Sequence, residues 1–173
     1  MRAVLIAAAL LPVLTSCQSM SSGSGPKASA TLEPTKGSTV RGNATFAQHG
    51  DKVRVTASVS GLKPNGEYGF HVHEAGDCSS GDGMSTKGHF NPQGKPHGQA
   101  GAAERHAGDL PSLKSDGSGN ATLNTEVDMV TVAPGPSSVV GRGLIVHAQP
   151  DDYKTQPTGN AGARSACAVI RAS

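Results

Sequence analysis

Gly69-Phe70-His71-Val72-His73-Glu74 alternates apolar and imidazole side chains. Successive side chains of a β-strand point to opposite faces, so Phe70 and Val72 go to one side and His71 and His73 to the other. Two imidazoles then stand side by side over an apolar backing. That suits one small metal ion, because neutral imidazole nitrogen ligates zinc and copper and the strand fixes both rings. A His-x-His pair alone is more often a solvated pair or a chance spacing. Its company gives it weight: of seven histidines, only His49 stands apart, in Gln48-His49-Gly50-Asp51, which reads as a solvated hairpin turn.

Outward from this strand, the chain is punctuated by 23 Gly and 11 Pro. Ala28 to Leu32, Val40 to Gln48 and Val53 to Ser60 are short, rich in Val and Thr, and alternate in places, with turns at Gly50-Asp51 and Lys63-Pro64-Asn65-Gly66. They read as an antiparallel meander feeding the His71 strand. Later strands are expected at Asp109 to Lys114, Ala121 to Val127, Arg142 to His147 and Cys167 to Arg171. Evenly spaced short strands with such punctuation argue for an all-β sandwich or flattened barrel.

Two segments break the rhythm. Ala75 to Gly108 and Ala148 to Ser165 show neither strand nor helix periodicity. Loops of that length in a compact domain are commonly disordered or functional. The first carries His89, His97 and His106, with Asp109 at its exit, spaced by eight, nine and three. No secondary-structure repeat has that spacing, so the loop must gather these residues around something. A cation held by three imidazoles and one carboxylate is a physical reason for the loop to be ordered.

With three Phe, two Tyr and no Trp in 173 residues, the chain fits one domain with a modest core. The formal charge of +2 falls to +1 without Arg2, which gives no nucleic-acid footprint. Met1-Arg2 and the apolar run Ala3 to Leu14 read as an export signal too short to span a bilayer. Leu14-Thr15-Ser16-Cys17 resembles a bacterial lipobox, which would make residues 1–16 a removed signal peptide and Cys17 an acylated amino terminus. The competing reading is an ordinary signal peptide cleaved further on. Gln18 and Ser19 carry no acidic retention signal, so the expected address is the periplasm or cell envelope, anchored by lipid to the outer membrane. Residues 17–27, mostly Ser, Gly and Met, read as a flexible tether, and residues 28–173 as the domain.

Of three cysteines, Cys17 as lipid carrier leaves Cys78 and Cys167 to form a disulfide in an oxidising compartment. The alternative, that either is a metal ligand or nucleophile, is weaker because no histidine spacing includes them.

Gly69-Phe70-His71-Val72-His73-Glu74-Ala75-Gly76-Asp77-Cys78 resembles the first signature of the copper/zinc superoxide dismutases, and Gly159-Asn160-Ala161-Gly162-Ala163-Arg164-Ser165-Ala166-Cys167 resembles the second. Gly88-His89-Phe90-Asn91-Pro92, His97-Gly98, Arg105-His106-Ala107-Gly108-Asp109 and Ile145-Val146-His147 lie between them in the family's order. The likeness runs from Ala28 to the carboxyl terminus. It implies a Greek-key barrel of about eight antiparallel strands with immunoglobulin-like architecture, one copper and one zinc per subunit, and superoxide as substrate. Carried over by position, copper falls to His71, His73, His89 and His147, and zinc to His89, His97, His106 and Asp109. His89 would bridge the two metals. Asp151 matches the carboxylate that links ligands of both sites, and Arg164 the arginine beside copper. The implied reaction converts two superoxide radicals to oxygen and hydrogen peroxide as copper alternates between Cu(II) and Cu(I).

The second long loop departs from the longer family members: it is short and mostly neutral, with Lys154 its only Lys and Asp151 and Asp152 its only acids. Electrostatic guidance by this loop is therefore expected to be local. A non-catalytic metal-carrying relative is the rival reading. Such relatives typically lose a copper histidine or the arginine, and this chain keeps both. A structural or adhesive surface lipoprotein leaves six clustered histidines unexplained. The sequence is compatible with a monomer or a homodimer, and with membrane contact only through the lipid.

Overall fold

The computed structural model describes residues 25–173. The expected signal peptide, the lipidation site Cys17 and most of the tether lie outside the described residues. The first strand, β1, runs Lys27–Pro34 and buries Ala28, Ala30 and Leu32 on alternate positions, as a half-buried strand must. It is followed by β2 (Arg41–His49) and β3 (Lys52–Ser60). The two-residue loop between them places Gly50 at φ 62, the left-handed entry that tight hairpin turns favour. His49 ends β2 with its side chain exposed and bonded to Glu126 at 3.0 Å.

Further along come β4 (Glu67–Tyr68), β5 (Phe70–His73), β6 (Leu113–Lys114), β7 (Ala121–Val127), β8 (Gly143–His147), β9 (Arg164–Val169) and β10 (Arg171–Ala172). The one helical turn among the described residues is a 3-10 turn at Met84–Thr86. Eight strands form one curled antiparallel sheet in the order β5-β8-β9-β1-β2-β3-β7, with β10 also on β1. Strand β9 returns from the far end of the chain to lie beside β1, the crossing that a Greek key requires. The separate pair β4-β6 lies between the two ends of this curl: β4 leads into β5, and a bridge from Ser115 to Ala121 joins the β6 side to β7. Inside, Phe46, Phe70, Leu144 and Ile170 interleave with Ala28, Ala30, Ala44 and Ala57.

Two strand expectations need correction. Of Asp109 to Lys114, only Leu113–Lys114 is strand; Asp109 makes a single bridge to His71 and its carboxylate turns to the histidines. The strand expected at Cys167 to Arg171 begins at Arg164 as β9 and ends at Val169, with Arg171–Ala172 separate as β10, which shortens the second loop to residues 148–163. The apolar pattern starts only at Ala166, whereas backbone pairing of Arg164 with His147 starts the ladder earlier.

The disulfide joins Cys78 in the first long loop to Cys167 on β9, with Cα atoms 6.0 Å apart and a sequence separation of 89. Closing so long a loop stabilises the chain by about 4 kcal/mol in the chain-entropy model. Replacing both cysteines (Cys78→Ser with Cys167→Ser) is expected to lower the unfolding free energy of the metal-free protein by about 2–4 kcal/mol in urea titrations. An unchanged midpoint would mean that the first loop is held without the bridge.

Candidate metal centre

Strand β5 supplies His71 and His73, and it is buried on both faces. The apolar face meets the core. The histidine face is covered by the first long loop, whose backbone docks along the free edge of β5: Val72 N–H donates to Gly108 O at 2.9 Å, and Phe90 N–H to Val72 O at 2.8 Å. Bridges His73 to His89 and His71 to Asp109 continue this edge. The loop thus spends its irregular backbone on strand pairing, which carries His89 and Asp109 to the β5 histidines. His147 ends β8, next to β5, where the ladder shifts register between Val146 and His147. Such a bulge re-aims a side chain at a site.

Six histidines and two carboxylates converge, all of them buried. Burying so many polar groups away from water is costly unless each finds a partner. One ring nitrogen of each of four histidines finds a partner outside the two clusters of facing donor atoms. His73 Nδ1 donates to Lys87 O at 2.9 Å and His147 Nδ1 to Gly162 O at 3.2 Å. His71 Nε2 and His97 Nε2 donate to the two oxygens of Asp151, at 2.8 and 2.9 Å. These bonds fix the tautomers and leave lone pairs on the opposite nitrogens.

The remaining nitrogens form two sets. Nε2 of His73 and Nε2 of His147 face each other at 3.4 Å, two lone pairs that repel unless a cation lies between them. Among the described residues, His71 Nδ1 and His89 Nε2 are buried without hydrogen-bond partners and complete this set of four. The second set is His89 Nδ1, His97 Nδ1, His106 Nδ1 and Asp109. Asp109 Oδ1 lies 2.8 Å from His89 Nδ1 and 3.5 Å from His106 Nδ1, and Oδ2 lies 3.0 Å from His97 Nδ1. Backbone N–H groups of Gly98 and His106 hold Oδ2. Three imidazoles and one carboxylate fit zinc, and four imidazoles fit copper. His89 gives one nitrogen to each set.

The charges agree with this assignment. Burial, with the neighbouring histidines, lowers His89 to about 4 and His147 to about 3, and holds His73 well below its ordinary value, so all three rings stay neutral ligands. His97 goes the other way. Burial opposes its protonation, but hydrogen bonds to Asp109 and Asp151 outweigh it and raise the ring to about 9. A carboxylate on each side makes this a place for positive charge, filled by a proton when no metal is there. Asp109 and Asp151 are held below the usual carboxylate range by hydrogen bonds from the histidines, against the effect of burial.

Arg164 is half-buried at the start of β9. Its guanidinium donates to Gly83 O at 2.5 Å, Thr86 Oγ1 at 2.9 Å and Lys87 O at 2.5 Å. Lys87 O is the carbonyl that also orients His73, and the Arg164 charge helps to keep His73 and His147 deprotonated. Asp151 joins one histidine from each set.

Lys87, Tyr153 and Gln156, which no motif singles out, also serve the site, as does Gly159 of the second signature. A Cβ at Gly159 would lie 1.9 Å from Asp151 Oδ1 and 2.5 Å from His97 Nε2, so no side chain fits there. Tyr153 donates its N–H to Asp151 at 2.7 Å, and its hydroxyl reaches Ser112 and Glu67 at 2.9 and 3.1 Å. Only Gly159 gave a signal, as part of the second signature. The others act through backbone atoms or as single polar groups in a loop without periodicity.

An antiparallel β fold carrying a four-histidine site and a three-histidine, one-carboxylate site that share one imidazole defines a histidine-bridged two-metal protein. Residues 40–170 match the family model described as copper/zinc superoxide dismutase, and the chain belongs to that family. It is 41% identical over 149 residues to superoxide dismutase (Cu-Zn) 2 of Aquifex aeolicus (strain VF5), across 84% of this chain and 86% of that relative. Superoxide dismutase (Cu-Zn) 2 of Brassica juncea is 47% identical over 151 residues, across 83% of this chain and 96% of its own length. Among solved structures, the crystal structure of the clock protein EA4 superposes with a TM-score of 0.78 at 42% identity, covering 86% of this chain and 95% of that one.

Metal-free protein is expected to lose stability on both sides of pH 6.5. His97, raised to about 9, contributes fully below its unfolded value near 6.5, and that contribution disappears between pH 6.5 and about 9. His89 and His147 are depressed, so the unfolded chain binds more protons than the native one and stability falls as pH drops from 6.5 towards 4. Urea midpoints measured from pH 4.5 to 9.5 test this; a midpoint that rises steadily to pH 9.5 would contradict the His97 assignment.

Proposed function

We infer that the protein disproportionates superoxide to oxygen and hydrogen peroxide, and the observation that carries this is His89, which offers one ring nitrogen to each of two adjoining metal sets. Copper, when bound by His71, His73, His89 and His147, supplies a one-electron couple, while zinc at His89, His97, His106 and Asp109 supplies fixed charge without redox chemistry. The protein's own share is proton handling and orientation. His89 is anchored from its Nδ1 side and can hold a proton at Nε2 in one half of the cycle and surrender it in the other, supplying one of the two protons that peroxide needs; solvent supplies the second. Asp151 keeps His71 and His97 in the tautomers that point Nδ1 at the two sets, and so serves both sites at once.

Arg164 attracts and orients the substrate. A guanidinium fixed by three hydrogen bonds to the first loop cannot swing away, and its planar fork suits a small anion. Because the second long loop holds a single Lys, Arg164 supplies much of the local attraction.

The amino-terminal run supports export. The short apolar stretch after Arg2 and the tetrad ending at Cys17 lead us to place the protein in the periplasm or cell envelope, held to a membrane by acyl chains on Cys17. There it would protect the envelope from superoxide arising outside the cytoplasm.

Chelation is expected to abolish superoxide consumption by the purified protein, and copper together with zinc to restore it. Stoichiometric metal without turnover would leave a metal carrier. Arg164→Ala is expected to lower the rate roughly tenfold and to flatten its dependence on ionic strength; an unaltered rate and salt slope would remove Arg164 from the mechanism. Labelled palmitate should enter the full-length chain in cells and fail to enter Cys17→Ser.

A further inference from the structure

We propose that Gln156 is a positioning residue of the zinc site: its side-chain amide clamps the peptide of His97, so that zinc retention and closure of the second long loop become one coupled event. The proposal rests on the assignment of His97 to zinc. His97 lies in the first long loop, outside every strand, and has no ladder to hold its backbone. Gln156 provides one. Its Oε1 accepts the His97 N–H at 2.8 Å and its Nε2 donates to His97 O at 2.9 Å, the paired exchange made by two residues facing each other in an antiparallel sheet. The same Nε2 also reaches Lys154 O at 3.3 Å.

The second loop is built to present this amide. Asp152 caps its own turn, accepting from the N–H groups of Lys154 and Thr155 and from the Thr155 hydroxyl, while its N–H donates to Gly159 O at 2.8 Å. Five residues apart on this turn, Asp151 holds the His97 ring at Nε2 and Gln156 holds its backbone. Ring and peptide of one ligand are therefore fixed by one loop, and Nδ1 has only the direction of Asp109 and the other zinc donors left to it. Gln156 is exposed, and its role cannot be seen from burial.

Coupling of this kind is reciprocal: if loop closure favours zinc, zinc must favour loop closure by the same factor. Groups that orient a ligand in this way commonly change metal affinity by ten- to a hundredfold; an exposed clamp belongs at the lower end.

The test compares the full chain with Gln156→Ala and Gln156→Glu, the second of which keeps the acceptor for His97 N–H and loses the donor. Zinc release to a chromophoric chelator is expected to be about tenfold faster in Gln156→Ala and intermediate in Gln156→Glu. Amide hydrogen exchange of residues 152–160 is expected to slow on zinc addition in the unaltered chain and to respond much less in Gln156→Ala. A residue that merely stabilised the fold would lower the unfolding midpoints of metal-free and zinc-loaded protein equally; the clamp lowers the zinc-loaded one more. Release at the unaltered rate, equal midpoint shifts, or a second loop indifferent to zinc in the unaltered chain would overturn the proposal. If both variants fail to fold, Gln156→Met, which keeps the length of the side chain and removes the amide, takes their place in the release and exchange measurements, with the same outcomes expected as for Gln156→Ala. Zinc uptake that survives His97→Ala undiminished would instead defeat the ligand assignment itself, and the clamp with it.

Discussion

One carboxylate joins three separately encoded parts of the molecule. Asp151 belongs to the second long loop, His71 to a sheet strand and His97 to the first long loop, and the two histidines donate to its two oxygens at 2.8 and 2.9 Å. Burying a carboxylate is unfavourable until donors compensate it. Asp151 receives both imidazole N–H groups and the backbone N–H of Tyr153, and its proton affinity falls accordingly. Each bond fixes a tautomer, and each tautomer directs a lone pair into a different metal set. Remove the carboxylate and both rings are free to turn over, one in each site.

The division of labour between sheet and loops follows from rigidity. Strands β5 and β8 place three of the four copper histidines by register, with errors limited by their backbone ladder. The loops must place the rest without a ladder of their own, so they borrow one: the edge of β5, the disulfide to β9, the amide of Gln156 and the guanidinium of Arg164. Arg142 adds a further tie, its guanidinium lying 4.3 Å over the ring of Phe90, next to the shared His89. This is why long segments without periodicity are nonetheless packed closely enough to hold two metals.

How much of this could be read beforehand depended on the kind of signal. The strands around Val53, Ala121 and Leu144 declared themselves through alternation or apolar runs, because burial of one or both faces selects those residues. The ligands were legible because histidine is scarce and its spacing within two signatures is distinctive. Asp109 misled as a strand start, since a residue that bridges one strand once looks in sequence like the beginning of another. Arg164 lies before the apolar pattern of its strand, and only backbone pairing, which carries no side-chain signature, makes it the first residue of β9. Gln156 and Lys87 were invisible for the same reason: a carbonyl or a peptide is held, and any sequence has those. The backbone of Lys87 sits at φ 63, a costly place for a side chain, and only the fold shows that its carbonyl serves two functional groups there.

Strand β1 pairs with β2, its near neighbour, and also with β9 and β10, at the opposite end of the chain. Glu33 meets Cys167, and Ser173 N–H donates to Lys27 O at 2.9 Å. The seam can therefore close only when two segments far apart along the chain meet, which is a costly loop to close. The barrel seam, the disulfide partner of Cys78 and Arg164 all lie on β9. A chain whose β1-β2-β3 meander has formed but whose β9 has not docked lacks, all at once, the bridge to the first long loop, the guanidinium beside His73 and the backbone pairing that aims His147.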